Sequence, residues 1–435
     1  MINKYKINTG ASVKDYNKVS DWLSFEIPNK INISSGKVDI GQHISTTLAL
    51  ICSRELGIDI NSIFVNKLNT DITPNEGITA SSLSVPNSGT AIKSASIIFK
   101  KNFLDFAAKS LNLNINNINL EDGVAKDPNS NASISFWDFS KTEEFLKLSI
   151  PDIIEIEDKK NVDHSSHVET KFINSIVKGE YKFLHDLRFD DMLHARIVRP
   201  PSYFHKFLSI NKSIYKYLKD HNLKLYIKNS FIAVLGNDEF EVIKSLNRIK
   251  NSIEWEQVNK LANDKIFNLI DQNSKDSLVV KRGGEAFHEN IPEIKSYNNV
   301  DHKTLTSEFN KPYLMHGSIG PSASCSFYKN GKFIIYSHSQ AIYALKSILS
   351  NAFNLNEKNI TLHFMPGAGC YGHNGADDVT YEAALLSKEF ENKYVLLKWT
   401  REDEHCWEPY GSASKNKLTA TMDENNKIIY WSSEA

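Results

Sequence analysis

Residues 366–378 read Pro-Gly-Ala-Gly-Cys-Tyr-Gly-His-Asn-Gly-Ala-Asp-Asp, four glycines set between an alternating apolar run and an amphipathic one. Glycine at that density serves where backbone must approach a neighbour closely or turn left-handed, so this stretch restricts the fold more than any other. Before it, Ile360, Leu362 and Phe364 alternate with polar residues, the period of a half-buried strand. After it, Val379, Ala383, Leu386 and Phe390 recur at helical spacing. A strand, a glycine loop and a helix start present backbone N–H groups to an anionic or oxo-bearing ligand.

The loop alone leaves several readings open. Gly367, Gly369 and Gly372 satisfy G-x-G-x-x-G after a strand, the pattern of an NAD- or FAD-dependent oxidoreductase. In that fingerprint the helix opens within the glycines, whereas here His373-Asn374-Gly375 intervenes. Asp377 and Asp378 suit the helix dipole but would repel a pyrophosphate. A tight turn that holds no ligand is the third reading.

At 435 residues the chain is long enough for two or three domains, and 41% hydrophobic with 24% charged residues is the balance of a folded, soluble protein. A net charge of -1 gives no electrostatic case for a nucleic-acid or membrane partner. Cys52, Cys325, Cys370 and Cys406 form no C-x-x-C pair, so no zinc site or iron–sulfur cluster is encoded locally, and reduced thiols are expected. No leader-like apolar segment and no run of 18 apolar residues is present, which predicts a cytoplasmic protein without membrane insertion. His316, His338, His373 and His405 lack metal-site spacing, and Cys370 lacks a nucleophile signature.

Residues 31–43 read as strand, turn, strand and a glycine turn, ahead of a helix from Ser45 to Glu55. Ile63–Val65 reads as a strand. The loop over residues 71–84 gathers Thr79, Ser81, Ser82 and Ser84, hydroxyls that bind a polar ligand or are simply solvated. A long helix follows over roughly Thr90–Leu111, with Ile98, Phe103 and Ala107 in the core. Asp127–Asn131 is a turn-rich break, and Ser133–Asp138 with a charged connector through Asn161 follows it, which places a domain boundary near residue 150. Leu193, Ala195 and Ile197 alternate with His194, Arg196 and Val198, predicting a half-buried strand. Phe231–Leu235 reads as a buried strand and Glu239–Ile253 as a helix. His185, His194, Arg196 and Arg199 are read as structural. A polar linker spans Asp271–Lys275, and Arg282-Gly-Gly284 follows it. Lys332–Gln340 is a strand delivering Gln340 to a helix whose inner stripe is Ile342, Leu345 and Leu349.

Gly369-Cys-Tyr-Gly-His-Asn-Gly-Ala-Asp-Asp378, followed by Trp399-Thr-Arg-Glu-Asp-Glu-His-Cys-Trp-Glu-Pro-Tyr410, resembles the molybdopterin-binding large subunit of the molybdenum hydroxylases. This is the xanthine dehydrogenase and aldehyde oxidase family, here in its isoquinoline 1-oxidoreductase and nicotinate dehydrogenase branch. The resemblance implies that the main-chain N–H of Tyr371, flanked by Gly369, Cys370 and Gly372, and the side chain of Gln340 hydrogen-bond oxygen ligands on molybdenum. Gly36-x-Val38-x-x-Gly41-Gln42-His43 matches a segment that ends Gly-Gln-Gly and contacts the pterin, with His43 in place of the last glycine. The 71–84 loop matches Thr-Pro-x-x-Gly-x-Thr-Ala-Gly-Ser-x-Ser, with Ser81 in place of a glycine. Cofactor contacts are therefore expected at Gly41, Gln42, His43, Thr79, Ser81, Ser82, Gln340, Gly369, Cys370, Tyr371 and Gly372, none of them a direct metal ligand.

The resemblance further implies an α+β fold, with a mixed-sheet α/β hammerhead domain between two portions of a molybdopterin-binding α/β domain. The expected divisions are residues 1–150 (the Gly-Gln-His portion), 151–275 (hammerhead) and 276–435 (first part of the molybdenum-binding domain, truncated). The implied activity is oxidation of an aldehyde or N-heterocyclic small molecule with water as oxygen source. The implied cofactor is molybdenum-molybdopterin in its cytosine dinucleotide form, with 2Fe-2S clusters on an iron–sulfur small subunit. The family's catalytic glutamate lies in a Gly-Glu-Pro segment that these residues do not contain; Gly284-Glu-Ala-Phe287 is the nearest string. The expectation is a subunit that needs a chain or segment supplying that portion, and the alternative is a non-catalytic remnant acting as a scaffold.

Overall fold

Seven segments of strand periodicity assemble into one mixed sheet in a computed structural model, which describes residues 4–157, 168–260, 266–273, 278–280, 286–288, 302–372 and 378–435. In chain order these strands are β1 (Leu193–Ile197), β2 (Lys224–Lys228), β3 (Phe231–Gly236), β4 (Ala323–Lys329), β5 (Lys332–Ser337), β6 (Ile360–Phe364) and β7 (Tyr394–Lys398). They lie side by side as β2-β3-β1-β7-β4-β5-β6. The β4–β5 hairpin turns through Asn330-Gly331, both with positive φ, the residue pair that a two-residue turn of matching twist requires. β5 and β6 run parallel, with Ser337 beside Phe364, so the segments leaving them emerge at the same end of the sheet. The helix Ile342–Phe353 makes the crossover, burying Ile342, Leu345 and Leu349 as its stripe predicts.

The chain divides into two units: residues 1–199, 209–254 and 317–404 form the first, and residues 200–208, 255–316 and 405–435 the second. Within the first, one apolar cluster draws only on residues from Val13 to Ile150, centred on the rings of Phe99, Phe103, Phe136 and Phe139. The Thr90–Leu111 helix supplies Phe99, Phe103 and Ala107 to it; each buried phenylalanine contributes about 2–3 kcal/mol. A second cluster joins Val38 and Leu68 to Phe333, Ile335, Leu362 and Phe364, so the segment after the strand Ile31–Ile33 is packed on the β5–β6 end of the sheet.

In the second unit, Lys303–Lys311, Ser414–Met422 and Ile428–Glu434 form a three-stranded antiparallel sheet. Its register puts Leu305, Leu418, Ala420 and Trp431 on one face. The other face carries Thr304 bonded to Thr421 and Thr306 bonded to Thr419.

Several local expectations need correction. β1 is buried on both faces rather than half-buried, its polar residues meeting ion partners inside the unit. Val38-Asp39-Ile40 is loop, since its donors turn to side chains instead of a neighbouring strand. The helix from Glu239 ends at Lys250, and Ile253 opens a strand. The expected 271–275 linker is helical through Asn273. β1–β3, from the expected middle division, and β4–β7, from the expected last one, share a single sheet. Asp158–Asn161, Lys275, Arg282-Gly-Gly284-Glu285, His373, Asn374 and Asp377 lie outside the described residues. Among the described residues no helix is long and apolar enough to cross a membrane.

Candidate functional site

Parallel strands β5 and β6 deliver two loops to one edge of the sheet, the position at which ligands are bound in open α/β sheets. Gln340 follows β5 by three residues; its Nε2 donates to the backbone oxygen of Thr79 at 2.9 Å. Thr79 N–H donates in return to Gln340 O at 2.9 Å. Thr79 Oγ1 accepts from Val38 N–H, also at 2.9 Å. The 37–43 segment, the hydroxyl-rich loop and the end of β5 are thus tied together at Thr79. Tyr343 reinforces the join, its hydroxyl donating to Thr73 O, and burial pushes that phenol up to about 12.

The segment after β6 is braced from beneath. Met365 N–H donates to Ser337 O, Gly320 N–H to Ala368 O, and the Ser318 hydroxyl to Cys370 O. Arg401 holds the underlying strap by donating to Ser318 O and Ile319 O. A Cβ on Gly367 would sit 3.2 Å from the His338 ring, and one on Gly369 3.1–3.2 Å from the ring of Tyr371. The glycines therefore admit the chain's own aromatic groups. Cys370 is buried, whereas Tyr371 is 60% exposed with φ at 54°. Among the described residues the N–H of Tyr371 has no hydrogen-bond partner.

The first loop is held by contacts within the chain. Asp39 accepts from the N–H groups of Gly41, His43 and Ser45 at 3.2–3.3 Å, so a carboxylate of this chain already occupies the start of the Ile44–Leu56 helix. Gln42 folds back as well, its amide bonding Ile40 N–H at 2.7 Å and Val38 O at 2.9 Å. Gly41, Gln42 and His43 stay exposed. His43 has φ at 58° and Ser81 φ at 56°, the left-handed conformation that the resembling pattern fills with glycine. Ser81 and Ser82 are exposed, and Thr79 and Ser84 are buried.

The two loops share a wall: a cavity of about 40 Å³ is lined by Lys37, Val38 and Asp39 from one side and by Phe364 and Pro366 from the other. That volume admits water and not a pterin ring system. Burial lowers the Lys37 ammonium, an effect that the nearby Glu76 carboxylate opposes. Donors suited to a polar cofactor are the Tyr371 N–H and the second hydrogen of Gln340 Nε2. The residues at this edge fit such a group. The amides of Gly41 and His43, already engaged by Asp39, do not supply free donors to it.

Elsewhere, His194 and Arg196 face Glu239, which Lys398 and Arg188 also approach; Arg196 and Lys398 lie 2.8 and 2.9 Å away. Arg199 bonds Glu382 at 2.6 Å beside the indole of Trp399. His185 Nε2 lies 2.7 Å from Pro321 O, to which it donates. These are ion-pair and packing roles. Among the described residues no His, Cys, Asp or Glu group has the geometry of a metal site. Ser318, Arg401 and Asp39 are site-shaping residues that local sequence patterns did not single out; the Trp399–Tyr410 string contained Arg401 without revealing its contacts.

Comparison with known proteins finds relatives along most of the chain. Residues 1–173 match the family model described as the molybdopterin cofactor-binding domain. A nicotinate dehydrogenase subunit of Pseudomonas putida is 28% identical over 414 residues, 91% of this chain and 33% of that protein. A protein of Gluconacetobacter polyoxogenes named membrane-bound aldehyde dehydrogenase [pyrroloquinoline-quinone] is 21% identical over 94% of this chain and 53% of its own length. Quinoline 2-oxidoreductase from Pseudomonas putida 86 aligns with 60% of this chain and 38% of its own, at 12% identity and a TM-score of 0.42. The chain spans about a third to a half of the length of the curated relatives it matches over most of its own length.

Proposed function

We propose that the chain is a molybdopterin-binding large subunit of the molybdenum hydroxylase family, and that the edge formed by Gln340, Thr79 and the Gly367–Gly372 loop binds the molybdenum-molybdopterin cofactor. The observation that carries the proposal is the convergence at the carboxyl ends of two parallel strands. Gln340 is locked there by Thr79, and among the described residues the Tyr371 N–H is left over as a donor. When bound, the cofactor supplies the redox centre at which a small molecule is oxidised with water as the oxygen source.

The chain's own residues orient it. Tyr371 N–H and Gln340 Nε2 would donate to its polar atoms without reorganising, because Cys370 O and Thr79 O are held by fixed partners. Gln42, His43, Ser81 and Ser82 are exposed and would line the outer rim toward the pterin and its cytosine dinucleotide extension, Gln42 on releasing its amide from Ile40 and Val38. The substrate class is an aldehyde or N-heterocycle, the electron outlet is 2Fe-2S clusters on an iron–sulfur small subunit, and the working compartment is the cytoplasm.

The test is metal analysis of the chain purified together with its partner polypeptides, paired with hydroxylation assays on aldehydes and N-heterocycles. Near-stoichiometric molybdenum with turnover is the expected result. Absence of molybdenum under conditions that assemble the subunits overturns the proposal.

A further inference from the structure

We infer that Glu76 is a positioning residue which, through Lys37 and Thr79, sets where Gln340 stands at the end of β5. The inference rests on the cofactor reading for its consequence alone; its geometry is a property of the chain. The Glu76 carboxylate gathers donors from three separate segments: the Ser12 hydroxyl at 2.7 Å on Oε1, and on Oε2 the Ser88 hydroxyl at 2.7 Å, Gly36 N–H at 2.8 Å and the Ser35 hydroxyl at 3.2 Å. A carboxylate is acceptor-only, so converging donors select it over an amide, whose NH₂ would face one of them. Gly36 allows the approach, since a Cβ there would lie 2.1 Å from Pro74 O.

The clamp continues without a gap to the site. Lys37, next along the chain and itself buried, turns its ammonium to the backbone oxygens of Glu76 at 2.6 Å and Ile78 at 2.8 Å. Its neighbour Val38 donates to Thr79 Oγ1, and Thr79 exchanges two bonds with Gln340. A separate pair of contacts ties the region to β6 without using Glu76: Thr70 N–H to Leu362 O and Phe364 N–H to Leu68 O. That pair is a built-in control, because a residue serving general stability would loosen both sets together.

Amide hydrogen exchange on the full-length chain, wild type against Glu76→Ala, reads the two sets separately. The expected result is that the Val38 and Thr79 amides exchange at least about tenfold faster while those of Thr70 and Phe364 keep their wild-type rates. Glu76→Gln, which keeps the reach and part of the acceptor capacity, should fall between, and it decides the matter if the alanine variant does not fold. Unchanged exchange at Val38 and Thr79 overturns the inference, and so does an equal rise at all four amides. Because exchange is read without cofactor, a failure here is distinct from a failure of the molybdenum assay. If both ideas hold, E76Q also lowers the molybdenum content of the assembled protein.

Discussion

Gln340 and Thr79 stand 261 positions apart in sequence and face each other through two hydrogen bonds, side-chain amide to carbonyl and N–H to carbonyl, both 2.9 Å long. Both residues are buried, so the Thr79 carbonyl has no solvent to turn to if its donor is removed. Gln340→Leu keeps approximate size and deletes the donor. It should destabilise the protein by about 1–3 kcal/mol, the cost of leaving a buried acceptor unsatisfied. Equilibrium urea unfolding measures it, and a midpoint equal to wild type would refute the assignment.

Three substitutions separate steric from conformational demands on the first loop. Gly36→Ala drives a Cβ against backbone at 2.1 and 2.8 Å, where no side chain can give way, and should cost about 3 kcal/mol or more. Gly41→Ala meets nothing within 4 Å but holds φ at 109°, so its cost is conformational, about 1–2 kcal/mol. His43→Gly removes a left-handed penalty and should leave stability within about 1 kcal/mol of wild type or above it. Thermal melts of the three variants rank them in that order.

Elements governed by local periodicity were legible in the sequence. The 360–364 strand and the 90–111 helix follow from spacing that no distant residue needs to supply. The convergence of Gln340 with the glycine loop was also foreseeable, given strands that end beside each other. What escaped depends on partners far along the chain. The full burial of β1 requires Glu239, 43 residues beyond Arg196, to neutralise its polar face. The occupation of the helix start at Ile44 by Asp39 could not be seen either, because an aspartate in a loop carries no periodic signal. His43 and Ser81 stand where the resembling pattern has glycine, and both hold a left-handed φ, of 58° and 56°.

Breaking and replacing a buried pair should have opposite outcomes at Arg199. Its guanidinium bonds Glu382 at 2.6 and 3.0 Å and lies 4.7 Å from the centre of the Trp399 ring. Arg199→Met strands a buried carboxylate that burial already pushes toward its neutral form, and should cost about 3–5 kcal/mol. Adding Glu382→Gln to that variant should recover much of the loss. A double-mutant cycle showing no coupling would refute the pairing.

Thiol accessibility tests whether Cys370 is a nucleophile. Cys52 and Cys325 are buried, and desolvation pushes both thiols up to about 12. Cys370 is also buried, and Cys406 is exposed. Iodoacetamide on the native protein should therefore modify Cys406 alone, with all four thiols reacting after denaturation. Rapid native modification of Cys370, read by peptide mass spectrometry, would restore it as a reactive group.

Acid should destabilise the first unit in two stages, each with a known sign. Burial lowers His185 and His194 below the ordinary 6.5, so the unfolded chain takes up protons that the folded one refuses. Their contribution is present above pH 6.5 and is lost as pH falls below it. Glu239 behaves as a depressed carboxylate: burial acts to raise it, but hydrogen bonds and charge from Arg196 and Lys398 prevail and hold it at about 2, against an ordinary 4.5. Its contribution is therefore intact above 4.5 and lost as pH falls toward 2. Urea midpoints followed from pH 8 to pH 3 should fall through both windows. His194→Gln should shrink the upper stage, with His185 keeping part of it, and Glu239→Gln should remove the lower one. A Glu239→Gln variant whose profile below pH 4.5 still matched wild type would show that the ion cluster behind β1 contributes nothing to acid sensitivity.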